Sequence, residues 1–151
     1  MNRFFIGLLA VMTASIVFTM LLYRTPDAAT AQFGDMSLRV EYALTESARE
    51  KGLSGRAHIP ENYAMLFTFP NADYQGFWMK DMLAPIDIFW LDNKGRVISI
   101  ISNLATSTYP NVFYPPVPVQ YVLETAAGFA RNHSITIGTP LLLKNFPTVL
   151  K

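Results

Sequence analysis

The first strand is marked by alternating apolar and polar side chains. Over residues 36–44 the apolar residues fall on one face and the charged ones on the other. A period of two is typical of a half-buried strand. Thr45 is a good N-cap for a short helix over 46–51, and Gly52 is well placed to end that helix.

A continuous apolar run comes next and predicts an inner strand at 64–69. The mainly apolar stretch after it, which also carries Lys80, Asp81 and Asp87, predicts two more strands at 77–82 and 86–91. Pro85 separates these two strands, because proline cannot donate to a strand ladder. The polar residues 92–95 end in glycine and predict a turn, after which 96–101 returns as the antiparallel partner of 86–91.

Residues 103–118 interrupt this pattern with prolines and aromatic side chains, and a loop of this length in a small domain is often functional. A strand is predicted at 119–124, a helix capped by Thr125 at 126–132, and a last strand at 141–143. Many short strands with two small helices predict a mostly β domain, α+β only in a minor degree, built as a β-sandwich or barrel.

The N-terminal segment has a different character, since it is apolar from Phe4 to Tyr23. One interpretation is a signal peptide, with Ala29-Thr30-Ala31 as an A-x-A site cleaved after Ala31. The other is a retained anchor helix, because about 20 apolar residues cross a bilayer. Both predict an extracytoplasmic domain, either periplasmic or secreted, or anchored to the inner membrane through residues 4–23. The predicted domain organisation is therefore segment 1–23, linker 24–35 and a single domain over 36–151.

Charge and cysteine content exclude several classes of function. The chain has 12 basic and 11 acidic side chains, so it lacks the basic footprint of a nucleic-acid-binding protein. It has no cysteine, which excludes disulfides, thiolate catalysis and cysteine metal sites. Export without disulfides fits a bacterial envelope.

Familiar catalytic and metal motifs are missing from the sequence. His58 and His133 have no second ligand at helical or strand spacing, and the simple interpretation is two surface histidines. Ser54 does not lie in a complete G-x-S-x-G motif, and no glycine-rich phosphate loop occurs. The sequence therefore predicts no metal and no cofactor.

Isolated charges beside apolar strands are the remaining candidates for chemistry. One hypothesis is a shallow pocket lined by Arg56, Trp78, Lys80, Asp87 and Glu124. The alternative is structural: an arginine forms a bidentate ion pair with a partly buried carboxylate and fixes the fold. The arginines available for that pairing are Arg49 and Arg56, and the carboxylates are Asp87 and Glu124. In the proline-rich loop, Tyr109, Phe113 and Tyr114 form a candidate binding surface.

Several of these segments together resemble a known family, domain-of-unknown-function family 192. The matching segments are Arg49-x-x-Gly52-Leu53-x-x-Arg56, residues 64–69, 77–82, 85–89 and 121–124, with Gly128 and Gly138. The resemblance covers about residues 37–143. It implies a compact, jelly-roll-like, mostly β unit with short helices, often behind a bacterial signal sequence, and it supplies no reaction.

Departures from the family pattern occur at four places. Ser54 replaces a methionine, Ala64 a glycine, Asp81-Met82 an asparagine-threonine pair, and Thr139 an aspartate. The last two remove amide, hydroxyl and carboxylate groups, so the resemblance does not support a shared catalytic site here.

Three hypotheses for function follow. The first is a non-catalytic envelope module that binds a glycan or protein through the surface around Trp78, Lys80 and residues 109–118. The second is a hydrolase or lyase using Asp87 and Glu124 as paired carboxylates. The third is a membrane-tethered accessory protein with a structural role.

Overall fold

The computed structural model describes residues 29–144 and 146–147. Among these residues, no helix is both long enough and apolar enough to cross a membrane. The predicted apolar helix over 4–23 lies outside the described residues, and so does the first part of the predicted linker.

The described part of the chain is mostly β with two short helices, as predicted. The strands are β1 (Ala29–Phe33), β2 (Met36–Ala43), β3 (Tyr63–Asp73), β4 (Ile86–Leu91), β5 (Val97–Leu104), β6 (Val119–Ala126) and β7 (Leu141–Leu143). The helices are α1 (Glu46–Lys51) and α2 (Phe129–Asn132), with one 3-10 turn at Thr106–Thr108. The seven strands form one sheet in the order β5-β4-β6-β3-β2-β1-β7. Only the β2–β3 pair is parallel among these strands.

The sheet curls into a half-barrel, and its two ends approach each other at one place. The Leu141 amide donates to the Gly95 carbonyl at 2.9 Å, and the Gly138 amide donates to the Val97 carbonyl at 2.7 Å. Buried residues from all seven strands meet on the concave face, where Phe33 packs against Phe89 and α2. This face forms one of the two hydrophobic cores.

The convex face of the sheet carries the second core. Side chains of β3, β4 and β6 are buried there under α1, the loop that follows it, and residues 74–85, which we call the cover segment. Because the sheet is covered on both sides, β4 is buried at every position. This explains why its sequence is apolar at every position except Asp87, rather than alternating.

Local predictions near α1 and at the β4–β5 hairpin are confirmed. The Thr45 hydroxyl accepts a hydrogen bond from the Ala48 amide at 3.1 Å, and Gly52 ends the helix with a positive φ of 48°. The hairpin pairs β4 with β5 in antiparallel register, from Ile86 opposite Leu104 to Leu91 opposite Val97.

Three predicted elements are wrong. Residues 77–82 are not a strand, because only Phe77 pairs, through one bridge to Phe113. Residues 29–33 are not a linker but strand β1, which pairs with β2 on one side and with β7 on the other although its composition does not indicate a strand. Thr125 caps no helix, since β6 continues to Ala126 and α2 begins only after Gly128, which has a φ of 86°.

Candidate ligand-binding site

A pocket opens on the convex face, between α1 and the cover segment. Its volume is about 350 Å³. That volume is within the range of small-molecule sites in proteins. We call it the Glu124 pocket, and its lining residues are Glu46, Arg49, Glu50, Lys51, Gly52, Leu53, Phe67, Phe69, Gly76, Phe77, Trp78, Lys80, Met82 and Glu124.

Glu124 is the acidic group that β6 contributes to this pocket. In the sheet it lies opposite Met65 on β3 and Ile88 on β4, and its residue surface is only 4% exposed. The Oε2 atom is buried and has no hydrogen-bond partner among the described residues. Burial raises the pKa of Glu124 to about 8, although the charge of Arg56 acts in the opposite direction. The carboxyl is therefore largely protonated at neutral pH and offers an unused hydrogen-bonding group.

Arg49 holds the α1 side of the pocket in place. Its Nη1 atom donates to the Leu44 carbonyl at 2.6 Å and to the Thr68 carbonyl at 3.0 Å. Its guanidinium lies 5.2 Å from the ring centre of Phe69, within range of a cation–π interaction. These contacts fasten α1 to β3. The sequence suggests Arg49 only as the ion-pair partner of a carboxylate, but in the structure it donates to backbone carbonyls instead.

The cover segment presents alternate side chains to the core and to the pocket rim. Phe77 is buried and meets Phe67 edge-to-face at 4.9 Å, and Met79 is buried as well. Trp78 between them is 50% exposed, and Lys80 is exposed too. Trp78 and Lys80 thus line the rim of the Glu124 pocket.

The proline-rich loop adjoins the pocket at Gly76. The Phe77 and Phe113 backbones exchange two hydrogen bonds, of 2.9 and 2.8 Å. A Cβ atom at Gly76 would lie 2.6 Å from Cε1 of Tyr114, so the aromatic ring packs directly on this glycine. Tyr114 is exposed, as is Tyr109, whereas Phe113 is only partly exposed. Of the three predicted loop aromatics, the structure therefore places Tyr114 beside the pocket residue Gly76.

Arg56 does not line the pocket. Its Nη2 atom lies 3.1 Å from both carboxylate oxygens of Glu41, and its Nη1 atom donates to the Tyr63 hydroxyl at 2.7 Å. Burial alone would raise the pKa of Glu41, but hydrogen bonds from Tyr63 and Arg56 lower it overall. Arg56 therefore ties the loop after α1 to β2 and β3, which corrects its predicted place in the pocket.

Asp87 is also absent from the pocket, and it forms no pair with an arginine of the described residues. Its side chain is fully buried and accepts three backbone hydrogen bonds, from Asn103 at 2.7 Å, Gly128 at 3.0 Å and Ala130 at 2.8 Å. These amides belong to the end of β5 and to the start of α2. Asp87 thus helps to fix the fold, as the alternative of a structural ion pair expected. Its partners are backbone amides rather than an arginine, because α2 begins directly beside β4.

Neither histidine forms part of the Glu124 pocket. His133 lies 2.6 Å from the Asp35 carboxylate and 3.2 Å from that of Glu61, and its ring packs on Phe129. His58 is exposed. Over residues 29–144 and 146–147, no group of three or more histidine, aspartate or glutamate side chains could hold a metal ion.

Of the residues that the sequence indicates for a pocket, Trp78, Lys80 and Glu124 line this one, and most of its walls come from elsewhere. The apolar walls come from Leu53, Phe67, Phe69 and Phe77. A period of two puts Phe67 and Phe69 on one face of β3, so their shared face follows from the sequence. The cover segment packs over this face through tertiary contacts, and no local sequence pattern predicts such contacts.

Comparisons with known proteins identify the family of this chain. The chain matches the model of DUF192, described as "Uncharacterized ACR", over residues 29–143. This protein belongs to the DUF192 family. A UPF0127 protein from Thermococcus gammatolerans is 30% identical over 104 residues, which are 66% of this chain and 62% of that protein. The chain thus spans less than two thirds of the length of that relative.

Two solved structures share the fold of this DUF192 chain. A Sinorhizobium meliloti 1021 protein, named a "putative transcription regulator", has a TM-score of 0.69 and 28% identity, over 75% of this chain and 89% of its own. A protein of unknown function from Novosphingobium aromaticivorans DSM 12444 has a TM-score of 0.68 and 25% identity, over 74% and 82%. Neither name describes a reaction.

Two of the departures from the DUF192 pattern lie at positions that shape the backbone. Asp81 has a φ of 56°, a left-handed conformation that asparagine and aspartate tolerate better than most residues. Its carbonyl accepts from the Gly55 amide at 2.9 Å. The Thr139 hydroxyl accepts from the Thr136 amide at 3.0 Å within a turn. In this chain both residues therefore have conformational roles. Neither lines the pocket itself, although Lys80 and Met82 on either side of Asp81 do.

Proposed function

We propose that this protein is a non-catalytic binding module that takes a neutral sugar unit of a bacterial envelope glycan into the Glu124 pocket. The observation that carries this proposal is the pairing of a buried, unpartnered carboxyl with a half-exposed tryptophan at the rim of the same pocket. A sugar ring suits both features, because its apolar C–H face can pack on the tryptophan and the hydroxyl groups along its edge can bond to the carboxyl.

The buried carboxyl supports a ligand that can both donate and accept hydrogen bonds. A buried polar atom without a partner costs about 1–3 kcal/mol, and a ligand hydroxyl that bonds to the Glu124 carboxyl, once the side chain turns toward the pocket, would recover part of that cost. A hydroxyl can serve either protonation state of the carboxyl, since it donates to the ionised form and accepts from the neutral one.

The charges around the pocket favour a neutral ligand over a strongly charged one. Its lining contains three basic residues, Arg49, Lys51 and Lys80, and two acidic residues besides the largely protonated Glu124, namely Glu46 and Glu50. Neither sign dominates, so long-range attraction of a polyanion or polycation is weak. The aromatic walls and the rim tryptophan supply apolar contact, which suits one face of a pyranose ring.

The position of Asp87 weighs against the hydrolase alternative, which pairs Asp87 with Glu124. Glycosidases of the common type place two carboxyl groups on either side of the bond to be cleaved. Here Asp87 is enclosed by backbone amides, and only Glu124 of the two lines the pocket. A role in transcription, as the name of the Sinorhizobium relative suggests for that protein, finds no support in this chain, because its nearly balanced charge offers no nucleic-acid footprint.

Glycan binding is testable with the full chain in detergent. An array of envelope oligosaccharides, including peptidoglycan fragments and N-acetylglucosamine oligomers, would be followed by calorimetric titration of the strongest binder. Trp78→Ala and Glu124→Leu, which removes the hydrogen-bonding group at similar size, are expected to weaken binding at least about tenfold, which is about 1.4 kcal/mol. Lys80→Ala should weaken it less, because the ligand is neutral.

Matched controls lie on exposed positions outside the pocket lining, namely Lys94→Ala for Lys80 and Ile137→Ala for Trp78. Both should bind as the wild type does. The proposal is wrong if no oligosaccharide binds, or if binding survives Trp78→Ala and Glu124→Leu. Capture of a purified envelope protein that depends on these two residues would instead assign the pocket to a protein partner.

A further inference from the structure

The Ala29-Thr30-Ala31 motif, which resembles a signal-peptidase site, forms the first part of strand β1. β1 lies between two neighbours and hydrogen-bonds with both. It pairs with β2 from Ala29 opposite Val40 to Phe33 opposite Met36, and with β7 from Ala31 opposite Leu143. A cleavage after Ala31 would therefore cut within a strand of the sheet.

The residue at the cleavage point is also part of the concave core. Ala31 is 2% exposed, and Phe33, two residues later, is fully buried. Phe33 meets Phe89 edge-to-face at 5.1 Å and stacks on Phe129 at 5.9 Å. Cleavage would leave Gln32 as a charged chain end beside this core, with only two residues of β1 still attached. A terminal segment that short gains little pairing to offset its conformational entropy.

β7 would lose support as well. Of the named strands, β1 is the one that pairs with β7, and the Ala31–Leu143 pair would be lost with the cleaved segment. The segment just before β7 closes the half-barrel against Gly95 and Val97. The folded domain thus needs Ala29, Thr30 and Ala31 on the same chain as Gln32 and Phe33.

We infer that the protein is not processed after Ala31 and, because residues 23–28 contain no A-x-A motif of their own, that the apolar N-terminal segment stays covalently joined to the domain. This inference does not depend on the proposed sugar site. Between Tyr23 and Ala29 lie only residues 24–28, which can span at most about 20 Å when fully extended. If residues 4–23 lie in a bilayer, β1 is accordingly held within about 20 Å of the membrane surface. The domain would then bind its ligands close to the membrane.

The test is the intact mass of the full chain, recovered separately from the membrane and soluble fractions of bacterial cells that express it. The expected result is the uncleaved mass in the membrane fraction. A mature chain that begins at Gln32 would overturn the inference. A chain that begins anywhere from residue 24 to Ala29 would keep the role of β1 but overturn the retention of the N-terminal segment.

A matched variant places the same motif before β1. The double substitution Thr25→Ala and Asp27→Ala creates A-x-A motifs at 25–27 and at 27–29, and cleavage after position 27 would leave β1 whole. Release of this variant as a folded soluble domain beginning at Ala28, beside an uncleaved wild type, would show that signal peptidase reaches this part of the chain and passes over Ala31. Cleavage of both proteins after Ala31 would contradict the inference.

Discussion

Asp87 and Glu124 lie on adjacent strands but on opposite faces of the sheet. Asp87 pairs with Thr125, whereas Glu124 pairs with Ile88, and neighbouring residues of a strand point to opposite sides. Asp87 therefore enters the concave side, where it meets the amides of Gly128 and Ala130, and Glu124 lines the pocket on the convex side. Two acidic residues in similar apolar surroundings thus have different roles, one in the fold and one in the site.

Removing the Asp87 carboxylate is expected to destabilise the fold. Asp87→Ala would leave three buried or partly buried amides without their acceptor, at about 1–3 kcal/mol each before relaxation. We expect a loss of about 3 kcal/mol or more in urea unfolding, and a smaller loss for Asp87→Asn, which keeps one oxygen. A loss below about 1 kcal/mol for the alanine variant would refute this role of Asp87.

The pKa of Glu124 makes stability depend on pH. The folded-state pKa is about 8 and the ordinary value is 4.5, so between these values the folded protein holds a proton that the unfolded chain has released. Stability should therefore fall as pH rises from about 4.5 to 8, by about 3 kcal/mol or more over the whole range.

Glu124→Gln is expected to remove this pH dependence. The variant should match the wild type near pH 4.5 and unfold at a higher temperature at about pH 8–9, where the wild-type carboxyl is ionised. Thermal unfolding across this pH range measures both curves, and Glu50→Gln on exposed α1 serves as the control that should leave the wild-type slope unchanged. Parallel curves for wild type and Glu124→Gln would contradict the raised pKa.

Phe77 and Trp78 are neighbours with opposite expected effects. Phe77 is buried among aromatic rings, so Phe77→Ala should cost about 3–5 kcal/mol of unfolding free energy. Trp78 is 50% exposed, so Trp78→Ala should change stability by less than about 1 kcal/mol while it weakens glycan binding. Denaturant unfolding of both variants checks the contrast, and a Trp78→Ala protein as unstable as Phe77→Ala would show that the tryptophan is structural.

The left-handed backbone at Asp81 allows a test of the position at which this chain has aspartate and the family pattern has asparagine. Asp81→Asn should be neutral or slightly stabilising, because asparagine adopts this conformation readily. Asp81→Val should lose about 1–3 kcal/mol, since a β-branched residue is strained there. Equal stability of the two variants, measured by thermal unfolding, would argue that the turn relaxes away from positive φ.

Much of the fold can be predicted from the sequence because its signals are local. The alternation over β2, the Thr45 cap with Gly52, and the β4–β5 hairpin each follow from a few neighbouring residues. The cover segment shows the limit of this reasoning. Phe77, Trp78 and Met79 alternate as a strand would, but their partners are the convex face of the sheet and the single bridge at Phe113, which are set by tertiary packing.

The candidate site is predictable only in part for the same reason. Unusual residues in apolar runs identify Trp78, Lys80 and Glu124. Whether two such residues lie on the same side of the sheet depends on strand pairing, and the sequence does not predict that β4 and β6 are neighbours. Without that register, Asp87 and Glu124 look like one site, and the amides that hold Asp87 cannot be foreseen.

The most direct test of the central claim uses the two tryptophan indole N–H signals in the nuclear magnetic resonance spectrum of the labelled protein. Trp78 lies at the pocket rim, whereas Trp90 is fully buried and its Nε1 donates to the Gln75 carbonyl at 3.0 Å, so Trp90 is an internal control. On titration with the strongest oligosaccharide from the array, we expect the Trp78 signal to shift in a saturable way and the Trp90 signal to stay nearly unchanged. Saturable binding that leaves the Trp78 signal in place would contradict a sugar site at the Glu124 pocket.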